Sequence, residues 1–123
     1  MRIALTLLLL LAAAPVLAEW VKVARTDAAV HYVDPVTVHD EGGLRRAWVM
    51  QDMVETGPER TRSLRALQEY DCAGERFRYL ALVAYDAPMA GGEVLAAYGL
   101  SDTWNERPRG SRPSSIELVV CGF

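Results

Sequence analysis

Lysine, histidine and cysteine are scarce in this sequence. Of its 123 residues, Lys22 is the only lysine, and there are two histidines and two cysteines. His39 is followed by the acidic residues Asp40 and Glu41, but the spacing between His31 and His39 matches no metal-binding motif. The sequence therefore argues against a metal centre.

Catalytic motifs are also missing. No nucleophile elbow of the glycine–x–serine–x–glycine type occurs, and the Gly91-Gly92 pair lacks the lysine and helix of a phosphate-binding loop. The serines lie in or beside predicted turns without a neighbouring histidine, at Ser63, Ser101, Ser111, Ser114 and Ser115. We therefore expect no enzymatic activity, no catalytic residue and no bound cofactor.

The apolar run at residues 3–11 is shorter than the about 20 residues that a membrane-spanning helix needs. It follows Arg2 and leads to small residues ending at Ala18, so residues 1–18 are predicted to be a signal peptide cleaved before Glu19. A retained signal anchor is the alternative. No cysteine follows the cleavage position, so we expect an exported chain without a lipid anchor or a transmembrane segment.

The chain is mildly acidic. The formal net charge is −3, and the basic residues are spread along the sequence. Such a balance argues against nucleic acid or an anionic membrane as the partner.

Residues 19–123 are long enough for one small domain. Alternating apolar and polar side chains predict strands at residues 19–25, 28–34, 44–55, 63–72, 76–85 and 93–99, with a short extended piece at 36–38. Residues 39–43, 56–62 and 101–112 read as polar loops. A helix over residues 63–70 is the alternative to the fourth of these strands.

The hairpin of residues 63–85 turns at Ala73-Gly74-Glu75 and forms the predicted centre of the sheet. Its first arm directs Leu64, Ala66, Gln68, Tyr70 and Cys72 to one side. The second arm is expected to share a face through Phe77, Tyr79, Ala81, Val83 and Tyr85.

Residues 113–120 fit a helix and a strand equally well. Ser111 as the N-cap, with a proline in the first turn, favours a short helix. A bond between Cys72 and Cys121 would join this tail to the centre of the sheet and stabilise the fold by about 4 kcal/mol. Two unpaired buried thiols are the alternative.

Most aromatic side chains are expected to fill the core. Others, together with arginines, are the usual anchors of protein interfaces. The candidate binding surface consists of Trp48, Arg45, Arg46, Arg76, Arg78 and Trp104.

The order of landmarks along the chain resembles the surface-adhesin protein E family. The matching segments are residues 19–23, 32–35, 37–38, 48–50, Asp52, residues 69–72, Arg76, Arg78, Trp104 and residues 120–121. The resemblance implies a mostly β, α+β fold: a twisted antiparallel sheet of about six strands with a short C-terminal helix held by the cysteine pair. It also implies binding of host matrix and plasma proteins and of haem, dimer formation, and a place in the periplasm or on the surface of a Gram-negative bacterium.

Two hypotheses follow for function. The first is a non-enzymatic binding module of the adhesin E type that recognises a protein and forms a homodimer. The alternative is a periplasmic protein that binds a small ligand of the haem type through His31 or His39 and neighbouring aromatic residues.

Overall fold

The computed structural model describes residues 18–122, so the predicted signal peptide lies almost entirely outside the described residues. Within these residues the chain forms eight strands and one α-helix. They are β1 (Val21–Arg25), β2 (Ala29–Val33), β3 (His39–Glu41), β4 (Leu44–Met53), β5 (Ser63–Asp71), β6 (Arg76–Ala87), β7 (Gly91–Tyr98), β8 (Asn105–Glu106) and α1 (Ser115–Cys121), with short 3-10 helices at Pro35–Thr37 and Pro58–Arg60.

The strands form a single antiparallel sheet with the order β1-β2-β4-β5-β6-β7. These six strands correspond to the six that the alternating pattern predicts, and the predicted fold class is confirmed. The strand interpretation of residues 63–70 is also confirmed over its helical alternative. Two further strands, β3 and β8, are very short and pair with β4 and β6, respectively; they lie in segments that were predicted to be loops.

The prediction of an extended segment at residues 36–38 is wrong for residues 36 and 37, whereas Val38 has the extended backbone expected of it. Pro35 has no N–H to donate to a strand ladder, and the Asp34 carboxylate accepts a hydrogen bond from the N–H of Val36 at 3.2 Å. The Thr37 hydroxyl also donates to the carbonyl of Asp34 at 2.7 Å. These local bonds fold the segment into a 3-10 turn.

The register of the central strands defines two faces of the sheet. On one, here called the Trp48 face, Arg46 pairs with Glu69, Trp48 with Leu67, and Met50 with Arg65. On the other, here called the helix face, Ala47 pairs with Gln68 and Val49 with Ala66. The helix α1 covers one end of the helix face and packs against β1, β2, β4 and β5.

A β-bulge in β6 changes which of its side chains share a face. Leu67 pairs with Ala81 but Gln68 pairs with Tyr79, so Leu80 is an extra residue. Phe77 and Tyr79 therefore lie on the helix face, whereas Ala81, Val83 and Tyr85 lie on the Trp48 face. The predicted common face of these five residues is wrong beyond Tyr79, because strict alternation does not allow for an inserted residue.

The helix α1 completes the core. Val120 is fully buried and joins Val33, Ala47, Val49, Ala66 and Tyr70 in one hydrophobic cluster. The N-cap is Ser114, whose hydroxyl accepts a hydrogen bond from the N–H of Glu117 at 3.0 Å. The prediction of Ser111 as N-cap is therefore wrong: the Ser111 hydroxyl bonds to the carbonyl of Pro108 in its own turn.

The predicted disulfide is confirmed. Cys72 follows the end of β5, Cys121 is the last residue of α1, and their Cα atoms are 5.8 Å apart. The bond therefore holds the end of the helix on the sheet beside the core cluster.

Candidate functional site

The centre of the Trp48 face carries one carboxylate between two guanidinium groups. Glu69 in β5 lies between Arg46 of β4 and Arg78 of β6, its partners in the strand register. Arg46 Nε donates to Glu69 Oε2 at 2.7 Å, and Arg78 Nη2 donates to Glu69 Oε1 at 2.7 Å. Only 2% of the Glu69 side chain is exposed, so this carboxylate is buried and fully paired.

Trp104 lies against the arginines of β6. Its ring centroid is 4.4 Å from the guanidinium carbon of Arg76 and 4.6 Å from that of Arg78. Arg76 also donates from Nε to Asp71 Oδ2 at 3.0 Å. The long connection after β7 therefore returns to the sheet through cation–π contacts.

Trp48 makes the same kind of contact with its neighbour Arg65, whose guanidinium carbon is 4.5 Å from the indole centroid. The residues of the Glu69 ion pairs and of the two tryptophan contacts make a set of seven, which we call the arginine–tryptophan row. It consists of Arg46, Trp48, Arg65, Glu69, Arg76, Arg78 and Trp104.

The arginines lower the pKa of the carboxylates that they contact. Burial raises the pKa of Glu69, but the hydrogen bonds and charges of Arg46 and Arg78 together outweigh burial and hold this pKa below its ordinary value. For Asp71 the N–H of Gly74 contributes most and Arg76 next, and its pKa is also lowered. Both carboxylates are therefore ionised at neutral pH.

The structure brings together five of the six residues of the predicted binding surface: Arg46, Trp48, Arg76, Arg78 and Trp104. Arg45 lies on the helix face, where it pairs with Tyr70 in the register and its Nη1 is 3.7 Å from Asp40 Oδ1. Sequence reasoning missed Glu69 and Arg65. Their alternation with Leu67 along β5 indicated that the two side chains share a face. Only the register between strands places Glu69 beside Arg46 and Arg78, and Arg65 beside Trp48.

The helix face has a cleft of about 410 Å³ where α1 leaves the sheet uncovered. Aromatic and aliphatic side chains dominate its walls, and polar groups come from His31, Gln51 and Gln68. The apolar lining comes mainly from Leu64, Ala66, Phe77, Tyr79, Leu82 and Ile116. Its volume lies within the range of small-molecule sites.

Of the two histidines considered for ligand binding, only His31 lines this cleft. His39 lies on β3, where its Nδ1 is 2.8 Å from the carbonyl oxygen of Thr37 and its Nε2 is 3.5 Å from Glu41 Oε2. Within residues 18–122 no group of three or more histidine, cysteine or acidic side chains could hold a metal ion.

A second cavity of about 250 Å³ shares Tyr70, Phe77 and Ser114 with this cleft. The Tyr70 hydroxyl is buried and donates to Gln68 Oε1 at 2.7 Å. Burial raises the pKa of Tyr70 well above its ordinary value, so this phenol remains neutral over the physiological range. The buried carboxylate of Glu117 is paired at 3.5 Å with Arg107.

These features define a class of protein. The class is a single antiparallel sheet that carries a disulfide-linked helix on one face and the arginine–tryptophan row on the other. The chain belongs to the Surface-adhesin protein E family, whose sequence profile matches residues 20–122. The resemblance seen in the sequence is therefore confirmed.

Solved structures of protein E from Haemophilus influenzae have the same fold. One is 13% identical, has a TM-score of 0.59, and aligns over 84% of this chain and 83% of its own. Crystal form II is 14% identical, with a TM-score of 0.56 over 83% of this chain and 96% of its own. At this level of identity the similarity concerns the fold. No curated protein sequence matches the chain.

Membership of an adhesin family supports an adhesin-like, non-enzymatic role and an exported or surface location. Among residues 18–122, no helix has both the length and the apolar character required to cross a membrane.

Proposed function

We propose that this chain is an exported, non-enzymatic binding module that recognises a protein partner through its Trp48 face. The arginine–tryptophan row carries the proposal. Its side chains lie on the sheet face opposite α1, and arginine and tryptophan are the residue types that most often anchor protein interfaces.

The contacts within the row favour binding in two ways. Arg46 and Arg78 are already oriented by Glu69, so a partner that contacts them does not have to immobilise flexible side chains. Arg65 forms no ion pair with a carboxylate of residues 18–122 and adds an uncompensated positive charge. Complementary charge would be supplied by an acidic surface on the partner.

The family supports an adhesin-like role, and the partners implied by the resemblance are host matrix and plasma proteins. The oxidised chain from residue 19 onward should bind vitronectin, laminin or plasminogen saturably in a solid-phase assay. Trp48→Ala and Arg65→Ala should each weaken binding roughly tenfold, as expected for interface anchors. Leu118→Ala, on the exposed side of α1, is the control and should bind normally.

Two results would contradict this proposal. One is the absence of saturable binding to all three proteins. The other is equal loss of binding in Trp48→Ala and Leu118→Ala. Homodimer formation is a separate prediction, which light scattering of the purified chain tests directly.

A second candidate function is binding of a small ligand such as haem in the helix-face cleft. The observation that favours it is that His31 lines the same cleft as Phe77, Tyr79 and Leu82. Haem titration should shift the Soret band in the parent protein, and His31→Ala should remove the shift. His39→Ala is the matched control because His39 lies outside the cleft; an unchanged Soret band in the parent would exclude this function.

A further inference from the structure

The cavity of about 250 Å³ beside the helix-face cleft is bounded by three parts of the chain. Tyr70 and Phe77 come from β5 and β6, residues 105–108 and 111–112 belong to the connection that leads to the helix, and Glu117 lies in the first turn of α1. An engineered apolar cavity of about 150 Å³ is large enough for benzene. The cavity therefore has room for a ring with a short side chain.

Glu117 carries a buried carboxylate that lacks a hydrogen-bond donor. The residue is only 7% exposed, and no donor among residues 18–122 makes a hydrogen bond with its Oε2 atom. Its ion-pair partner, Arg107 Nε, is 3.5 Å away and has no hydrogen bond within the same residues. A buried acceptor without a donor costs free energy, so a ligand that donates to this carboxylate would bind favourably.

The other nitrogens of Arg107 are bound elsewhere. Nη1 donates to the carbonyl of Ser111 at 2.8 Å, and Nη2 is 2.9 Å from Glu75 Oε1. One guanidinium group therefore serves two carboxylates, those of Glu75 and Glu117. The three side chains together have an excess of one negative charge.

The remaining charged residues of the cavity wall do not remove this excess. Arg76 is paired with Asp71, whose Oδ2 is 3.0 Å from Arg76 Nε. Glu106 and Arg112 are both exposed and carry opposite charges. The charge of the wall is therefore complementary to a cation.

Aromatic rings form the apolar part of the wall. The ring centroids of Tyr70 and Phe77 are 5.3 Å apart, with an angle of 25° between the ring planes. Aromatic rings attract organic cations through their faces and also pack against apolar groups. A buried carboxylate beside such rings favours a protonated amine over a neutral donor.

Backbone contacts hold this wall in place. The N–H of Arg107 donates to the carbonyl of Glu75 at 2.9 Å, and Asn105 Nδ2 donates to the carbonyl of Phe77 at 3.3 Å. These bonds continue the short pairing of β8 with β6. Because the wall is already formed, a ligand would not have to order it on binding.

We propose that this cavity is a binding site for a small organic cation, a protonated primary amine attached to an apolar group. The ammonium group would donate a hydrogen bond to the carboxylate of Glu117, and the apolar group would contact Tyr70 and Phe77. His31 does not line this cavity, and Arg76 is the one member of the arginine–tryptophan row that does. The inference therefore does not depend on either function proposed above.

The test titrates the oxidised chain from residue 19 with three amines: butylamine, cyclohexylamine and phenethylamine. Binding is measured by NMR chemical-shift changes and by the rise in the midpoint of thermal unfolding that a ligand of the folded state causes. Two analogues of phenethylamine are the controls. The first, 2-phenylethanol, has a neutral hydroxyl group in place of the ammonium, and the second, phenylacetate, is an anion.

We expect at least one amine to bind saturably, with shift changes at the residues that line the cavity. If phenethylamine is bound, 2-phenylethanol should bind roughly tenfold more weakly, because hydrogen bonds between charged groups are the stronger ones. Phenylacetate should not bind, because its charge has the same sign as the excess charge of the wall.

Two variants test the two parts of the wall. Glu117→Gln keeps the shape of the side chain and removes its charge, and it should weaken amine binding roughly tenfold. Phe77→Leu removes an aromatic face and should weaken binding roughly threefold. Glu93→Gln, a carboxylate change outside the cavity, and His31→Ala in the neighbouring cleft should bind the amine as the parent does.

Thermal unfolding without ligand shows whether each variant is folded. If Glu117→Gln does not fold, the pair of phenethylamine and 2-phenylethanol still tests the charge, and Phe77→Leu still tests the aromatic wall. The proposal is overturned if none of the three amines binds saturably, or if 2-phenylethanol binds as tightly as phenethylamine. It is also overturned if folded Glu117→Gln binds the amine as tightly as the parent, or if the shift changes lie outside the cavity.

Discussion

Arg78 donates two hydrogen bonds to the same carboxylate oxygen of Glu69, from Nη2 at 2.7 Å and from Nε at 2.9 Å. The other oxygen of Glu69 accepts from Arg46. One side chain in β5 therefore links the strands on both of its sides, in addition to the backbone ladder. This contact contributes to the stability of the sheet and also orients the arginines that we assign to partner binding.

Removal of the Glu69 charge should destabilise the protein. In Glu69→Gln the two arginines lose their charged partner, and we expect the free energy of unfolding to fall by about 2 kcal/mol, the typical contribution of hydrogen bonds to a charged group. Urea unfolding measures this loss. Glu93→Gln, an exposed position, should change stability by less than about 0.5 kcal/mol; equal effects of the two changes would refute the assignment.

Stability should depend on pH through the same carboxylate. Because the pKa of Glu69 is lower in the folded protein than its ordinary value of 4.5, the unfolded chain binds the proton more readily. The contribution of Glu69 is therefore complete above about pH 5 and is lost as the pH falls through the folded pKa. In unfolding measured from neutral to acidic pH, the difference between the parent and Glu69→Gln should shrink in acid; a constant difference would contradict this origin.

Reduction of the disulfide should release the end of α1. We expect the double variant Cys72→Ala/Cys121→Ala to lose up to about 4 kcal/mol, because the unfolded chain gains conformational freedom. Thermal unfolding with and without a reductant measures the effect. The reductant should lower the midpoint of the parent and leave the double variant unchanged, and a parent insensitive to reduction would contradict the prediction.

Asp34 should interact with a newly formed amino terminus. Its Oδ2 accepts a hydrogen bond from the backbone nitrogen of Glu19 at 3.2 Å, and the residue is only 5% exposed. Cleavage at the predicted position would make this nitrogen a charged amino group and strengthen the contact. Acetylation of the terminus should then cost about 1 kcal/mol.

The substitution Asp34→Asn should abolish most of the effect of acetylation, because the charged partner of the terminus is then absent. Four proteins form a thermodynamic cycle: the parent and the Asp34→Asn variant, each with a free and with an acetylated terminus. Urea unfolding of all four measures the coupling between the two groups. Additive effects of the two changes would show that the charge at Glu19 does not interact with Asp34.

The six main strands could be predicted from the sequence because alternating apolar and polar side chains occur between polar turns. The pairing of Cys72 with Cys121 could also be predicted, since the sequence contains no other cysteine. The inserted Leu80 in β6 could not be found in this way. A bulge is a property of two paired strands, and it appears only when the partner residues Leu67 and Gln68 are known.

The candidate surface shows the same limit. Arginine and tryptophan could be selected as anchors by residue type, and the arginines of β6 share a face because they are two positions apart. The neighbours Arg45 and Arg46 must lie on opposite faces of β4, and sequence alone did not decide which of them faces Trp48. The cap at Ser114 was missed for a related reason, because Ser111 satisfies the same residue preference.

The disulfide has a consequence for how the chain would respond to mechanical force. Residues between Cys72 and Cys121 form a covalently closed loop that contains β6, β7, β8 and almost all of α1. A force applied to the two ends of the chain would therefore be transmitted through the disulfide to the end of β5. The strands inside the loop, β6, β7 and β8, would not bear this force and could not be pulled from the sheet one after another. Tension between the two ends would be carried by β1 to β5 while the loop stayed intact.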